Sequence, residues 1–397
     1  MLCEKSLRLG QETNIIRALS AYGAARKAEI GAENVFDFSI GSPSVPAPQC
    51  VSDTLVELIK ESDPVRLHDY TPAPGLPSVR KAVADDLNAR FEANISPDMV
   101  YMCCGAAAGF ISVCHALLSP GDEVVCFVPY FPEYPVWVES AGGKVVPAMP
   151  RADMQPDMDS FESVINEKTR LVVVNTPNNP TGVILTADSL SAIAAVMERA
   201  QARYGHPIYL ISDEPYRDLI FDGSKPLFLT HFYKNTIICY SYSKSLSLPG
   251  ERIGYLAVGS EMEDKNTVFA AICGGARNCA YMNAPALMQR LVERCVDVTC
   301  DINQYKRNRD LLYGGLCELG FDCIKPDGAF YLFMKCPEAD AVAFSDRAKK
   351  YELLLVPSND FGLPGYVRIA YCVAESTIVN AMPAFRKLAE EYSLCGK

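Results

Sequence analysis

The sequence predicts an α/β fold in which a three-layer, mainly parallel sheet is joined to a smaller α+β domain. From residue 98 onward, short and nearly continuous apolar runs alternate with helical segments, a pattern typical of parallel strands buried on both faces. After about residue 285 the pattern changes to a helix, a strand pair and a final helix. Because 397 residues are too many for one ordinary core, we predict two domains. The large domain spans 41–285, and the small domain combines an N-terminal arm, 1–40, with 286–397.

The individual elements follow from local patterns. An amphipathic helix and an arm occupy the chain to about Asn34, and a short strand with a Gly/Pro-rich turn follows at 35–41. Apolar runs predict strands of the large domain at 99–104, 123–128, 171–175, 208–212, 237–240 and 253–258. Helices are predicted between them, including 106–118 and 189–202. In the small domain, a helix through Arg290 and Glu293 precedes strands near 330–334 and 366–371.

The composition excludes several classes of function. The formal net charge is -11 and the isoelectric point is near 5.0, so we expect neither nucleic acid nor a membrane surface as a partner. No apolar segment is long enough to span a bilayer, and residues 1–6 lack the apolar core of a signal peptide. The 16 cysteines form no C-x-x-C pair and there are only 4 histidines, so we expect no metal site. Reduced thiols and a cytoplasmic location are the corresponding expectations.

Polar residues and glycines follow four of the predicted strands, at the point where each strand ends. Gly105 follows the strand at 99–104, and the runs 175–182, 212–216 and 241–244 follow three others. The carboxyl ends of parallel strands meet at one edge of a sheet, where ligands bind in open α/β folds. The sequence therefore predicts a site at this edge.

Lys244 is the residue in these runs that most clearly indicates a reaction. Burial in a cleft lowers the pKa of a lysine and frees its amine for Schiff-base chemistry. Nearby hydroxyls, together with Arg252, suit a phosphate group. The helix that begins after Gly105 would add backbone N–H donors. A solvated surface lysine is the alternative, and the strand-end position argues against it.

Four motifs occur together between Gly41 and Arg368, and they are Asn179-Pro180-Thr181-Gly182, Asp213-Glu214-Pro215-Tyr216, Ser241-x-Ser243-Lys244 with Arg252, and Arg368. In order and spacing this set resembles the class I/II aminotransferases of the fold-type I pyridoxal-phosphate family. The resemblance implies a pyridoxal-5'-phosphate-dependent aminotransferase. Such an enzyme moves an amino group between an L-amino acid and a 2-oxo acid by a ping-pong Schiff-base mechanism. The resemblance also implies a homodimer.

The resemblance implies roles for individual residues. The catalytic residues are Lys244, which carries the cofactor and then the substrate proton, Asp213, which keeps the ring nitrogen protonated, and Tyr216. Tyr216 and Asn179 bond the ring hydroxyl oxygen. The other expected cofactor contacts are Tyr130 stacked on the ring, and Gly105, Ala106, Ala107, Ser241, Ser243, Arg252 and a neighbouring subunit's Tyr70 at the phosphate. The substrate contacts are Gly41, Asn179 and Arg368, of which Arg368 clamps the α-carboxylate.

Each role competes with an ordinary structural interpretation. Asp213 suits a helix cap, Tyr130 the core, Arg368 an exposed strand and Tyr70 the start of a turn.

Other functions on the same scaffold are also open. A C–S lyase of this fold tends to carry histidines after the Asp-Glu pair and in the Asn-Pro turn, where this chain has Pro215-Tyr216 and Asn178. A cofactor-sensing regulator needs a DNA-binding module, for which the acidic chain has little room before its first strand. An inactive structural homologue is disfavoured by the presence of both Lys244 and Asp213.

The loop at 105–109 departs from the family pattern. It offers alanines where many relatives have polar side chains near the phosphate, and Ala107 stands where some relatives read an acidic substrate with a lysine. We therefore predict that another cation reads a distal carboxylate. The candidate is Arg277, in a segment at 274–278 that we expect to be flexible. A plain surface charge is the alternative.

Overall fold

The computed structural model describes residues 2–11 and 14–394. Its helices are α1 (Glu4–Gln11), α2 (Ile15–Ile30), α3 (Gln49–Glu61), α4 (Pro64–His68), α5 (Pro77–Phe91), α6 (Ala106–Leu117), α7 (Tyr134–Ser140), α8 (Met158–Val164), α9 (Ala187–Tyr204), α10 (Tyr242–Ser245), α11 (Lys265–Asn278), α12 (Ala286–Cys295), α13 (Ile302–Glu318), α14 (Ala341–Ala348) and α15 (Glu375–Glu391). Its strands are β1 (Phe36–Asp37), β2 (Val100–Cys103), β3 (Glu123–Phe127), β4 (Lys144–Ala148), β5 (Thr169–Asn175), β6 (Tyr209–Asp213), β7 (Thr236–Ser241), β8 (Gly254–Val258), β9 (Cys323–Ile324), β10 (Tyr331–Lys335), β11 (Leu353–Leu354), β12 (Val356–Pro357) and β13 (Tyr366–Ala370).

The large sheet has seven strands in the order β2-β8-β7-β6-β5-β3-β4. All neighbouring strands from β7 to β4 are parallel, and β8 is antiparallel to both β2 and β7. The prediction of a mainly parallel sheet is therefore confirmed. Six of the seven strands coincide with predicted strands within about two residues at either end. The edge strand β4 was not predicted.

Helices cover both faces of this sheet and make it the middle of three layers. Helices α6 and α11 pack together against one face, so closely that a Cβ on Gly275 would lie 2.1 Å from the carbonyl oxygen of Ser112. Helices α8 and α9 cover part of the other face, and α5 and α12 cover the rest. Every residue of β7 is buried, which explains its continuous apolar sequence.

The second sheet is antiparallel, with the order β12-β13-β10-β9, and packs against α13, α14 and α15. A separate parallel pair, β1 with β11, joins the N-terminal arm to this C-terminal part of the chain. The predicted strand at 35–41 contributes only the two residues of β1. The domain boundaries proposed from the sequence stay a prediction. Among the described residues, no helix combines the length and the apolar character that crossing a membrane requires.

Candidate active site

A cavity of about 470 Å³ lies at the carboxyl edge of the large sheet. It collects residues from the ends of β5, β6 and β7, from the start of α6, and from the small sheet. The sequence-predicted site residues that line it are Gly41, Ala106, Ala107, Asn179, Asp213, Tyr216, Ser241, Ser243, Lys244, Arg252 and Arg368. In the described ranges, 2–11 and 14–394, no group of three or more His, Cys, Asp or Glu residues could hold a metal ion.

Lys244 lies in α10, the single turn that follows β7, and its side chain points into this cavity. Its Nζ donates a hydrogen bond of 2.8 Å to the carbonyl oxygen of Gly41. Burial lowers the pKa of this amine to about 8, and the charges of Arg368 and Arg252 act in the same direction. A large fraction of the amine is therefore uncharged, and nucleophilic, in mildly alkaline solution.

Asp213 is the last residue of β6 and is buried in the same cavity. Its Oδ2 accepts a hydrogen bond of 2.5 Å from the hydroxyl of Tyr134, and its backbone oxygen accepts one from Asn175. Burial raises the pKa of Asp213 to about 7, although the Tyr134 hydrogen bond lowers it. A cationic partner in the cavity would favour the charged carboxylate.

Arg368, on β13, is only 2% exposed and faces Asn179 from the opposite side of the cavity. Its Nη1 donates to Oδ1 of Asn179 at 3.2 Å, and its Nη2 donates to the carbonyl oxygen of Ser39 at 2.6 Å. Its Nε is buried without a hydrogen-bond partner. Buried guanidinium groups are usually fully paired, so this vacant donor is suited to an anionic ligand.

Donors for a phosphate group surround the start of α6. The hydroxyls of Ser241 and Ser243 lie 2.7 Å apart, and Arg252 stands beside Gly105. Gly105 has a φ of +81° and caps α6, whose first residues, Ala106 and Ala107, line the cavity and have backbone N–H groups without partners inside the helix. A Cβ on Gly105 would lie 2.8 Å from Nη2 of Arg252. Any residue other than glycine at position 105 would therefore place its Cβ too close to the guanidinium of Arg252.

Tyr331, at the start of β10, was not identified from the sequence, yet it lines the cavity and contacts several of the predicted residues. Its hydroxyl lies 2.9 Å from the hydroxyl of Tyr216, and the guanidinium of Arg368 stacks 4.6 Å over its ring. A Cβ on Gly41 would lie 1.9 Å from the same hydroxyl. Tyr331 therefore connects three of the predicted residues, and it explains why position 41 holds glycine.

The chain matches the family model for aminotransferase class I and II over residues 33–385. It is 28% identical to the aspartate aminotransferase of Bacillus subtilis, with 94% of this chain and 96% of the relative covered. It is 31% identical to a probable aspartate/prephenate aminotransferase of Thermus aquaticus, over 80% of this chain and 82% of the relative. An amino transferase structure from Eubacterium rectale matches with a TM-score of 0.96 and 46% identity, covering 99% of both chains. The chain belongs to the class I and II aminotransferases.

The family, the fold and the aminotransferase activity expected from the sequence are thereby confirmed. An aminotransferase of this class moves an amino group between an L-amino acid and a 2-oxo acid in two half-reactions, and pyridoxal phosphate is the cofactor of the family.

Four predicted residues are not part of the cavity lining, and one of them, Gly105, caps the helix α6 whose first residues do line the cavity. Tyr130 packs beside Gly362 and lines a separate small cavity, while its neighbour Phe131 lines the active-site cavity instead. Tyr70 is 95% exposed. Arg277 is exposed in the last turn of α11, so the segment at 274–278 is helical, and its expected flexibility stays a prediction.

The aminotransferase also has site residues that no sequence motif indicated. Asn14, Ile16 and Arg17, from the N-cap and the first turn of α2, line the cavity. Glu133 and Trp137 line it from the region of α7. The only sequence signal for the α7 group is the run of aromatic residues after β3, which is also typical of a core.

Proposed function

We propose that the cavity holds pyridoxal phosphate, with Lys244 as the amine that bonds it and Asp213 as the partner of its ring nitrogen. The observation that carries this proposal is the presence of both groups in one cavity, an amine with a lowered pKa and a buried carboxyl group. The cofactor needs an amine, an anion for its ring and donors for its phosphate, and the cavity supplies all three.

The donor set supports the phosphate end of this assignment. Ser241, Ser243 and Arg252 surround a space that a side chain at position 105 would partly fill. The first turn of α6 adds backbone N–H groups and the positive end of a helix dipole, both of which favour a phosphate dianion. Because Ala106 and Ala107 bring no polar side chain, the hydroxyls and Arg252 carry more of the binding.

Bound pyridoxal phosphate supplies a carbonyl that combines with amines and a ring that withdraws electrons from the substrate α-carbon. Asp213, at the end of β6, holds a proton on the ring nitrogen, since a buried carboxylate stabilises the cationic ring. Lys244 moves the proton at the substrate α-carbon through its Nζ. A proton carrier needs a pKa near the working pH, and a value of about 8 meets this condition.

Arg368 and Asn179 hold the substrate carboxylate. The vacant Nε of Arg368 and its adjacent Nη atoms form the planar fork that a carboxylate accepts bidentately. We also assign Tyr216 and Asn179 to the ring hydroxyl oxygen. Phe131 replaces Tyr130 as the aromatic neighbour of the ring, because Phe131 is the one that lines the cavity.

We propose a homodimer in which Tyr70 reaches the phosphate of the neighbouring subunit. Its side chain is almost fully exposed in one chain, while the backbone beside it is held by a hydrogen bond that Asn283 donates to the carbonyl oxygen of Thr71. An L-amino acid and a 2-oxo acid are the small-molecule partners. The acidic charge favours neither nucleic acid nor a membrane surface as a partner, and we propose a cytoplasmic location.

Borohydride reduction of the purified protein followed by peptide mapping tests the proposal. We expect a pyridoxyl adduct on Lys244, and Lys244→Ala should lose turnover by several orders of magnitude, because both the bonding amine and the proton carrier disappear. Lys387→Ala is the matched control, since Lys387 is exposed on α15. An adduct on another lysine, or normal turnover in Lys244→Ala, would overturn the assignment.

A further inference from the structure

Arg17 lines the active-site cavity and is exposed. It lies in the first turn of α2, where its backbone N–H donates to Oδ1 of the helix-capping Asn14 at 2.9 Å. The same Asn14 side chain donates through Nδ2 to Oε1 of Glu133 at 3.0 Å, just before α7. The start of α2 is therefore held against the large domain, and the backbone of Arg17 has a defined place at the cavity.

The charged residues that line the cavity differ in whether they already have a hydrogen-bond partner or a proposed ligand. Lys244, Arg252 and Arg368 already serve the cofactor and the α-carboxylate in the proposed function, and Asp213 serves the ring. Glu133 accepts the hydrogen bond from Asn14. The guanidinium of Arg17 is the exception, because none of the residues in 2–11 and 14–394 gives it a hydrogen bond or an ion pair.

The cavity lining also includes the apolar residues Ile16, Phe131 and Trp137. A substrate held by its α-carboxylate at Arg368 leaves its side chain to contact this part of the lining. Arg17 is exposed, and its guanidinium offers a positive charge and a planar pair of N–H donors to a second carboxylate. Ala107, in the first turn of α6, lines the same cavity and brings no competing cation.

We propose that Arg17 binds the distal carboxylate and so makes the aminotransferase selective for dicarboxylic amino acids and 2-oxo acids. This inference rests on the function proposed above, which places the α-carboxylate at Arg368. It replaces the sequence-based choice of Arg277 within one subunit, since Arg277 lies on the exposed end of α11 and outside the cavity lining. The alternative residue for binding the distal carboxylate is Arg277 of the partner subunit in the proposed homodimer.

The kinetic test compares glutamate and aspartate with alanine in the holoenzyme. Arg17→Gln should lower kcat/KM for the two dicarboxylic substrates about 10- to 100-fold more than for alanine, the size of a lost charge-assisted contact. Arg17→Lys should recover part of this loss, because it keeps the charge without the planar fork. Arg386→Gln is the matched control, an exposed arginine on α15 away from the cavity. Arg277→Gln tests the alternative residue.

A binding measurement gives a second readout. Trp137 is the single tryptophan of the chain and lines the cavity, so its fluorescence reports occupancy there. Succinate, which has two carboxylates, should bind wild-type holoenzyme more tightly than butyrate, which has one. Arg17→Gln should bring succinate close to the affinity of butyrate, while Arg386→Gln keeps the difference.

The outcomes separate this inference from the proposed function. If Arg17→Gln affects glutamate and alanine equally, or if only Arg277→Gln lowers the dicarboxylate preference, the assignment of Arg17 is wrong and the aminotransferase site stands. A wild-type enzyme that prefers alanine to glutamate would also overturn it. Failure of the Lys244 adduct test would instead remove the proposed function on which the inference rests.

Discussion

The hydroxyl of Tyr134 donates a hydrogen bond of 2.5 Å to Oδ2 of Asp213, and both side chains are buried. Tyr134 begins α7, between β3 and β4, whereas Asp213 ends β6. The hydrogen bond lowers the pKa of a carboxyl group whose burial raises it. Tyr134 is therefore a positioning residue that favours the charged form of Asp213.

Tyr134→Phe should raise the pKa of Asp213, because it removes the hydrogen bond to the carboxylate. The acidic limb of the kcat–pH profile should then move to higher pH, with kcat below that limb reduced about tenfold. The profile of kcat between pH 5 and 9 measures this shift. Tyr233→Phe is the matched control, since it loses a buried hydrogen bond, to the carbonyl oxygen of Ile208, far from the cavity. A limb that stays in place in Tyr134→Phe would refute the positioning role.

The amine of Lys244 should become reactive near pH 8 in cofactor-free enzyme. Its pKa is lowered from 10.5 to about 8, so the uncharged, nucleophilic fraction rises through this pH. The rate of pyridoxal phosphate uptake, followed by absorbance, should increase with a midpoint near 8. Asp213→Asn is the control, because Asp213 titrates near 7 and would otherwise contribute to the same window. A midpoint near 10 would contradict the prediction.

The same lowered pKa has a consequence for stability. Between about pH 8 and 10.5, the folded protein binds fewer protons at Lys244 than the unfolded chain does. The contribution of this residue to the free energy of unfolding therefore increases as pH rises through that window. Below pH 8 the lysine is charged in both states, and the full cost of burying the charge is present. Urea unfolding of cofactor-free enzyme, compared with Lys244→Met, measures this pH dependence.

Gly105→Ala should weaken cofactor binding at least tenfold. Its Cβ would lie 2.8 Å from Nη2 of Arg252 and would displace the guanidinium from the phosphate position. The φ of +81° adds backbone strain. Gly121→Ala is the matched control, because Gly121 has a similar φ of +92° but no heavy atom within 4 Å of the added Cβ. Equal cofactor dissociation constants in the two variants would mean that Arg252 is not constrained by Gly105.

In the large sheet, the sequence predicted the six strands that are mostly buried and missed β4, which is mostly not buried. Strands β6 and β7 are almost entirely buried, so their apolar runs are continuous. Strand β4 is at the sheet edge, begins with an exposed Lys144 and contains Pro147, which an edge strand tolerates. Its local pattern therefore does not indicate a strand.

The site could be predicted where its residues directly follow strands. Asp213 and Lys244 end or follow β6 and β7, so the topology of the sheet alone brings them together. Tyr130 and Phe131 are adjacent, and their orientation depends on Gly362, far along the chain, against which Tyr130 packs. Arg17 joins the cavity lining at the start of α2, which the Asn14–Glu133 hydrogen bond connects to the residues just before α7. Such long-range contacts leave no pattern in the local sequence.

The Tyr70 assignment can be tested by mixing two variants that are each nearly inactive. Tyr70→Ala should lose about 10- to 100-fold in cofactor affinity, as expected for a lost hydrogen bond to a charged phosphate, so it should be nearly inactive when the cofactor is limiting. Lys244→Ala should be inactive outright. In a hybrid dimer, the chain that keeps Lys244 receives Tyr70 from its partner if Tyr70 acts in trans, and that dimer has one intact site.

The amount of recovered activity discriminates between the two arrangements. Random reassortment of equal amounts of the two chains makes about half of the dimers hybrids, so action in trans should restore about a quarter of wild-type activity. Action in cis restores none, because each chain then carries its own defect. Tyr70→Phe in place of Tyr70→Ala shows whether the hydroxyl or the ring is needed. Differently tagged chains and native mass spectrometry measure how many hybrids form. If hybrids form and activity stays at the level of the separate variants, Tyr70 does not serve the neighbouring site, and its 95% exposure has another cause.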